Sequence, residues 1–542
     1  MPFQNEPVRE NVVVVRTCLL LLLLLTAPAA AQQRRPLAER DMADITTLVM
    51  LEDRRDFNEE ALTRILRAEH PEVRRRAVLA IARIADARGR ALLQGARVDA
   101  DSSVAATAVF GLGQLRDSAA VPLLDSLLSS ARTPLTVGVE AARALGKIRT
   151  PESRQVLARY LASVTENDRT RRVIGEALLS MGRQTTRGDI APILRWTRSG
   201  DEEVRWRATW ALFRPRDPAA VPELLRLSKD RSGHVRSWAV RALAAPQVDS
   251  ANVGRAPAVA QLIASTRDAD RRVRTEAIRT LLAYDDSASL DVLLNALRSD
   301  DSWISVSAAE SLARRSSRSA DVMAALTAVS ASTQSSALRT TAAASIRTLS
   351  PDTSTTGRGA GDRAGGGGGG GRGGQARPLD TGKSEADYRA LVERWVVPDY
   401  NGAPRPRVQW DTPRGAIELE LYPGDAPLAV EDFMKVLDSG AIVGTEFSRV
   451  VPDFVAQQRA IYTDHRLRDE VTRLGLTRGN LSWASAGLDT GRPGYTLGST
   501  PQPHNEGDFT TLGRVVRGLD VVDRLELGDR VTAARLLTPP RT

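Results

Sequence analysis

The sequence predicts two domains of different classes, an all-α solenoid of helical repeats followed by a closed β-barrel with capping helices. An apolar phrase recurs from residue 41 to residue 350, and a glycine-rich stretch at 351–380 follows it. Beyond this stretch the apolar period changes from helical to two. At 542 residues the chain is also too long for one compact core. We therefore predict a solenoid over 41–350, a flexible linker over 351–380 and a barrel domain over 400–538.

Each copy of the repeated phrase begins with Val or Ile and continues with small apolar residues four, seven and eight positions later, which is one face of a helix. A second apolar helix precedes each copy, and the copies recur at roughly 31–38 residues, the period of two-helix solenoids. A weaker copy lies near Leu338. Clear copies begin at Val73, Val104, Val137, Val204, Val235, Val273 and Ile304. The pattern resembles HEAT repeats, which implies a surface for a protein partner; the alternative is a region that only spaces or stiffens the molecule.

The charge pattern argues against a nucleic-acid partner. The net charge is +9, but nearly all basic residues are Arg and they alternate with Asp and Glu. We interpret this pattern as a solvated, salt-bridged helical surface. His70 and His234 stand alone and are interpreted as repeat-turn residues, and we predict no metal site and no cofactor.

The first 31 residues have the pattern of a secretory signal peptide. Arg9 and Arg16 precede the apolar run Leu19–Leu25, and the small residues 29–31 precede Gln32. Cys18, the only cysteine, lies before this run, which is not the position of a lipoprotein cysteine. We expect cleavage before Gln32, no stable membrane span afterwards, and a periplasmic or extracellular protein. An uncleaved anchor is the alternative, and it would make the chain an envelope structural protein.

The linker is defined by composition. It contains an unbroken glycine run, Gly365–Gly371, and it buries no apolar surface. No strand leads into it and no Gly-Lys-Ser/Thr follows it, so a phosphate-binding loop is excluded. A short helix is predicted next, over residues 385–396, with Tyr388 and Trp395 on one face.

The C-terminal domain is predicted to consist of short strands and a helix. Residues 407–410 and 416–421 read as a hairpin, and residues 426–437 as a helix. Further strands are predicted at 447–451, 454–457, 480–484 and 513–516.

Several phrases of this domain resemble the cyclophilins and occur in that family's order. They are Ala-Pro-Leu-Ala-Val-Glu-Asp-Phe at 426–433, Phe-Ser-Arg-Val-Val-Pro-Asp-Phe-Val-Ala-Gln at 447–457, Arg-Gly-Asn-Leu-Ser-Trp-Ala at 478–484, and Gly-Arg-Val-Val-Arg-Gly-Leu-Asp at 513–520. The resemblance covers about residues 405–530 and implies a closed barrel that isomerises X-Pro peptide bonds.

The resemblance also implies the site residues. Arg449 matches the family's catalytic arginine, which directs its guanidinium at the proline nitrogen and the neighbouring carbonyl. Phe454 matches the pocket floor, Val455 replaces a larger apolar residue, and Gln457 matches a residue that holds the peptide backbone. Further substrate-binding positions correspond to Thr496, Asn505 and Phe509.

Several of these positions depart from the family pattern. Ser448 replaces a His, Gln458-Arg459 replaces two glycines, and the loop at 460–465 is short. Gly494 replaces a Gln, and other changes affect the pocket wall and rim: Thr496 replaces an aromatic residue, Asn505 a Leu, and Phe509 a His or Tyr. His465 and His504 are interpreted as loop residues, without a hydrolase motif around Ser482 or Ser485. The predicted function is a peptidyl-prolyl isomerase of exported proteins whose solenoid recruits clients or partners. The alternative is a non-catalytic scaffold whose barrel binds proline-containing peptides.

Overall fold

The computed structural model describes residues 35–315, 320–350, 379–462, 467–485, 487 and 489–538. The predicted signal segment and all but the last two residues of the predicted linker lie outside these ranges. Among the described residues, no helix is both long enough and apolar enough to cross a membrane.

The N-terminal domain is an array of paired helices, as the repeats predict. Its second, inner helices pack against one another along the array, and an additional repeat at Val173 fills the gap between the copies at Val137 and Val204. The helices are α1 (Glu39–Arg54), α2 (Glu59–Ile65), α3 (Pro71–Ile84), α4 (Arg90–Ala96), α5 (Ser102–Leu115), α6 (Val121–Ser129), α7 (Leu135–Ile148), α8 (Pro151–Ser163), α9 (Thr170–Arg183), α10 (Ala191–Leu194), α11 (Glu202–Phe213), α12 (Val221–Leu227), α13 (Gly233–Arg241), α14 (Ala245–Ser250), α15 (Arg255–Ser265), α16 (Arg271–Leu281), α17 (Ser287–Ala296), α18 (Ser302–Arg314), α19 (Ala320–Ser332) and α20 (Ser336–Leu349). Single 3-10 turns lie at Ala87–Gly89, Ser118–Ala120, Arg195–Arg198 and Pro218–Ala220.

Aspartates in the turns begin the inner helices. Asp101, Asp201 and Asp270 each precede an inner helix, and each accepts a hydrogen bond from a backbone N–H of its first turn. Such caps satisfy donors that the helix itself leaves unpaired. The acidic turn at 201–203 is therefore a helix start, as the sequence indicates.

The arginine that follows Val in several repeats joins neighbouring repeats. Arg205 forms a bidentate pair with Asp230 (3.0 and 3.1 Å) and donates to two carbonyls of its own turn. Arg236 binds Asp268 in the same way, at 2.8 and 2.7 Å. These side chains stabilise the array and are not available as a binding surface.

The C-terminal domain is a curled sheet of eight strands. The strands are β1 (Arg407–Thr412), β2 (Gly415–Leu421), β3 (Phe447–Val451), β4 (Val455–Gln458), β5 (Asn480–Ala484), β6 (Arg492–Gly498), β7 (Thr511–Arg517) and β8 (Ala533–Thr538), in the spatial order β3-β4-β6-β5-β7-β2-β1-β8. An antiparallel bridge between Glu446 and Arg530 connects the two ends of this order and closes the barrel. Helix α23 (Pro427–Asp438) caps one end, and α24 (Leu519–Val522) follows β7. The cap brings Phe433 into the core with Trp410 and Tyr495, at ring-centroid distances of 4.9–6.1 Å.

The predicted short helix after the linker is α21 (Glu385–Leu391), and a π-helical turn (Val392–Val396) and α22 (Val397–Tyr400) extend it. It touches both domains. The hydroxyl of buried Tyr388 donates to Asp53 of α1 (2.9 Å), and the indole of Trp395 donates to Glu431 of α23 (2.5 Å). The segment therefore clamps the barrel to the first helix of the solenoid.

The barrel lies against the inner helices of the solenoid. The residues in contact stand three, six and ten positions after the first Val or Ile of a repeat, which is one stripe of each helix. Arg76 donates to the carbonyl of Gly424 (3.2 Å), Arg143 to that of Arg473 (3.1 Å), and Lys147 pairs with Asp508 (2.9 Å). The surface on which the sequence predicts a partner therefore carries the chain's own barrel at these positions.

Candidate active site

Three predicted site residues lie in one row across adjacent strands. Arg449 of β3 is the register partner of Gln457 of β4, and Gln457 is the partner of Thr496 of β6. Directly opposed residues of neighbouring strands point to the same side of a sheet. Val455 lies two residues before Gln457, so it faces the same side. It is buried but separate from the continuous hydrophobic core, as a pocket residue would be.

A bulge aims Arg449 at the pocket. The register shifts between Phe447 and Arg449, so Ser448 is an extra residue in β3. Nη1 of Arg449 lies 3.4 Å from Oε1 of Gln457, and its guanidinium carbon is 5.6 Å from the centre of the Phe454 ring. The half-buried cation is therefore held between an amide oxygen and an aromatic face.

Phe454 is fixed through its backbone. Its carbonyl accepts hydrogen bonds from the Ser499 amide (3.0 Å) and from Nε2 of Gln502 (3.2 Å). The Nδ2 amide of Asn505 donates to Oε1 of Gln502 (3.0 Å). Asn505 therefore positions Phe454 through Gln502, a role that its loop position alone does not reveal.

The ring that stacks on Phe454 is His504. Their centroids are 6.1 Å apart with an interplanar angle of 17°. The sequence predicts a plain loop residue at His504 and places Phe509 at the rim. Phe509 is half-buried and has no ring contact among the described residues. His504 is fifty positions after Phe454 in the chain. The fold alone therefore brings the two rings together.

Thr496 makes the wall polar. Its hydroxyl and that of Ser482 lie 2.7 Å apart, and it also donates to the Ser482 carbonyl at 3.2 Å. The glycine at position 494, two residues earlier, is required for steric reasons. A Cβ at this position would lie 2.9 Å from Cα of Ala460. The backbone of Arg459 and Ala460, directly after β4, occupies the space that a side chain at 494 would need.

The solenoid holds the backbone on both sides of the pocket. Arg279 of α16 donates to the carbonyl of Pro452 (2.9 Å), two residues before Phe454. Arg183 of α9 donates to the carbonyl of Pro503 (2.8 Å), next to His504, and pairs with Glu506 (2.5 Å). Its side chain is only 1% exposed, so these contacts are shielded from water.

Burial and charges at this contact shift several pKa values. Burial opposes ionisation of Glu176, yet Arg143 and Arg183 hold its pKa well below its usual range. Burial, and then the neighbouring Glu276, raise the pKa of Asp453 to about 7. Burial, and then Arg214 and Arg241, lower the pKa of His504 to about 3, so this ring is neutral at neutral pH. Among the described residues there is no cluster of His, Cys, Asp and Glu suited to a metal.

A closed barrel with an arginine over an aromatic floor, beside a glutamine on the next strand, defines a cyclophilin-like fold and site. Residues 407–541 match the family model described as cyclophilin type peptidyl-prolyl cis-trans isomerase/CLD. The chain belongs to this family. Residues 89–179, 189–252 and 256–347 match the model for HEAT repeats, which confirms both predicted resemblances.

Isomerases from other organisms and one solved structure are similar to about a quarter of this chain. A peptidyl-prolyl cis-trans isomerase of Helicobacter pylori is 37% identical over 128 residues, which is 22% of this chain and 78% of that protein. Peptidyl-prolyl cis-trans isomerase B of Bacillus subtilis is 35% identical over 128 residues, 22% of this chain and 90% of that protein. The crystal structure of a Cryptosporidium parvum cyclophilin type peptidyl-prolyl cis-trans isomerase is also similar. The aligned part is 25% of this chain and 99% of that protein, with 19% identity and a TM-score of 0.24.

Proposed function

We propose that this chain isomerises X-Pro bonds of exported proteins, and that the solenoid holds the active-site loops and guides clients to them. The observation that carries the proposal is the position of Arg449 over Phe454 and beside Gln457. The isomerase activity follows from family membership, whereas the export and the role of the solenoid are our proposals.

The reaction needs no covalent chemistry. Rotation about the peptide bond faces a barrier of about 18–20 kcal/mol because amide resonance is lost in the twisted state. A donor that binds the twisted amide more strongly than the planar one lowers this barrier. Arg449 supplies such a donor at the pocket mouth, while Phe454 and Val455 offer an apolar floor to the proline ring.

The scaffold alternative has one observation in its favour. The Thr496 hydroxyl is engaged with Ser482, so this wall is small and polar where the family has an aromatic residue. Loss of an apolar wall weakens proline binding by roughly 1.5–3 kcal/mol. A barrel that binds peptide without turnover would be the consequence if the remaining contacts are insufficient.

The proposed role of the solenoid is supported by its contacts with the site. Arg183 and Arg279 bind carbonyls that adjoin His504 and Phe454. Inner-helix residues therefore lie beside the backbone that carries His504 and Phe454. Clients or a partner would be recruited at this edge of the solenoid.

The isomerase activity can be tested on the full chain with a short Ala-Pro peptide. We expect acceleration of the cis-to-trans step that Arg449→Ala reduces by at least about tenfold and Arg449→Lys restores only in part, because lysine lacks the planar fork. Arg514→Ala is the matched control, since this arginine is 57% exposed on β7 and pairs with Glu420 away from the row. Folded wild-type protein that binds the peptide without turnover would favour the scaffold alternative.

Export is supported by the N-terminal pattern alone. Expression in a Gram-negative host, followed by intact-mass measurement of the envelope fraction, tests it. We expect a chain that begins at Gln32. A full-length chain in the cytoplasmic fraction would contradict export, and a full-length chain in the membrane fraction would favour the anchor.

A further inference from the structure

Basic side chains of the solenoid converge beside the proline pocket. Arg149 follows α7, Arg214 follows α11, and Arg241 ends α13, so they extend from the same end of three inner helices. Arg214 and Arg241 both lie close enough to His504 to depress its ionisation, and His504 stacks on Phe454. The cluster therefore borders the floor of the candidate active site.

Their positive charge is incompletely compensated. Among the described residues, neither Arg149 nor Arg214 has a carboxylate within ion-pair distance, and Arg241 has only Glu276 at 3.8 Å. Asp508 attracts Arg149 from a longer distance, but this carboxylate is already paired with Arg116 and Lys147. Burial, followed by repulsion from Arg241, Arg149 and Arg216, lowers the pKa of Arg214. Two of these arginines instead rest on aromatic rings, Arg214 on Trp210 (5.5 Å) and Arg241 on Trp238 (5.2 Å).

Two polar atoms at this place lack partners. Nε of Arg214 and Nδ1 of His504 are both buried, and neither has a hydrogen-bond partner within the described part of the chain. Buried donors without partners cost free energy that a bound ligand can recover. A carboxylate would accept from the guanidinium, and it would also accept from His504 in the tautomer that carries its proton on Nδ1.

We propose that Arg149, Arg214, Arg241 and His504 bind a carboxylate side chain of the substrate, so that the enzyme prefers peptides with Asp or Glu near the isomerised proline. This inference rests on the proposed isomerase function and specifies its substrate class. A helix C-terminus alone explains one arginine at each helix end, but it does not explain two unpartnered polar atoms beside the pocket.

The test uses the full chain and paired peptides with one Ala-Pro bond. A single Glu or Gln is moved through the three positions on each side of the Ala-Pro pair, and both kcat/KM and Kd are measured. At one or more positions we expect the Glu peptide to have roughly tenfold higher kcat/KM or tighter binding, a ratio that salt at about 0.5 M reduces. Equal values for Glu and Gln at every position would overturn the proposal.

Variants assign the preference to the cluster. Arg214→Gln and Arg149→Gln are each expected to reduce the Glu-to-Gln ratio below about threefold. Arg149 is exposed, so Arg149→Gln keeps the test available if Arg214→Gln does not fold. Arg159→Gln is the control, because this arginine is 61% exposed and pairs with Asp125 on an outer helix. A ratio that survives both cluster variants would refute the assignment.

The two proposals can fail separately. Turnover of both peptides with equal kcat/KM and equal Kd at every position leaves the isomerase function intact and overturns the carboxylate site. Absence of turnover with both peptides removes the isomerase function, and the Kd ratio then decides whether the cluster binds a carboxylate.

Discussion

Replacement of Arg279 by Met should slow the isomerase without unfolding the chain. Arg279 connects the solenoid to the turn between β3 and β4 by one hydrogen bond, from Nη1 to the carbonyl of Pro452 at 2.9 Å. A hydrogen bond from a charged donor contributes about 1.5–3 kcal/mol. If this free energy holds Phe454 in place, its loss lowers kcat/KM by roughly ten- to hundredfold, since tenfold corresponds to about 1.4 kcal/mol.

The solenoid provides a closely matched control. Arg236 is 18% exposed and Arg279 is 19% exposed, but Arg236 binds Asp268 and two carbonyls within the repeats. Arg236→Met should therefore destabilise the solenoid and leave kcat/KM nearly unchanged.

Stopped-flow isomerase assays and hydrogen exchange of residues 452–458 provide the measurements. Arg279→Met should speed exchange in this segment, because the freed carbonyl no longer restrains the turn. Equal kcat/KM for Arg279→Met and Arg236→Met would refute the view that the solenoid positions the pocket floor.

Two further predictions concern pH and packing. The pKa of Asp453 is raised from 3.8 to about 7, so the folded chain keeps a proton that the unfolded chain releases, and stability falls as pH rises through this window. Asparagine tolerates the positive φ of 53° at position 453. In wild type, the free energy of unfolding measured with urea should fall by up to roughly 4 kcal/mol between about pH 4 and about pH 7, and Asp453→Asn should remove this fall. The same dependence of the unfolding free energy on pH in the variant would contradict the prediction. Gly494→Gln should destabilise the barrel by roughly 1–3 kcal/mol because its Cβ meets the Ala460 backbone. Gly95→Ala, which meets nothing within 4 Å, should be neutral or stabilising, and equal thermal shifts for the two would contradict the packing argument.

Local patterns predicted most elements of both domains. The strands at 447–451 and 480–484 have the predicted bounds, because alternating apolar residues and flanking turns define them without distant contacts. Strands β6 and β8 were missed. In β6, Pro493 and Gly494 indicate a turn, and the register with β5 skips both residues in a bulge, while residues 495–498 pair with β4 or β5.

The contact between the domains could not be predicted from composition. A glycine-rich linker indicates a tether and says nothing of where the joined domains meet. The basic residues at Arg183 and Arg279 could have been recognised, since they lie on one stripe of the inner helices. Their target carbonyls belong to loops, however, and backbone acceptors leave no pattern in a sequence.

The resemblance predicts the residues of the site itself, but not the residues that hold them in place. Arg449, Gln457 and Thr496 are brought together by strand register, which the family order implies. His504 and Gln502 come from a distant loop, and their roles depend on its path over the barrel.

A double-mutant cycle between Arg183 and Glu506 tests most directly the claim that solenoid and barrel form one functional unit. The two side chains meet at 2.5 Å across the domain contact. Measured as kcat/KM on the full chain, Arg183→Met and Glu506→Gln should each reduce activity, and the double variant should lose much less than the product of the two effects. Strictly multiplicative losses, or no loss in any variant, would contradict the claim.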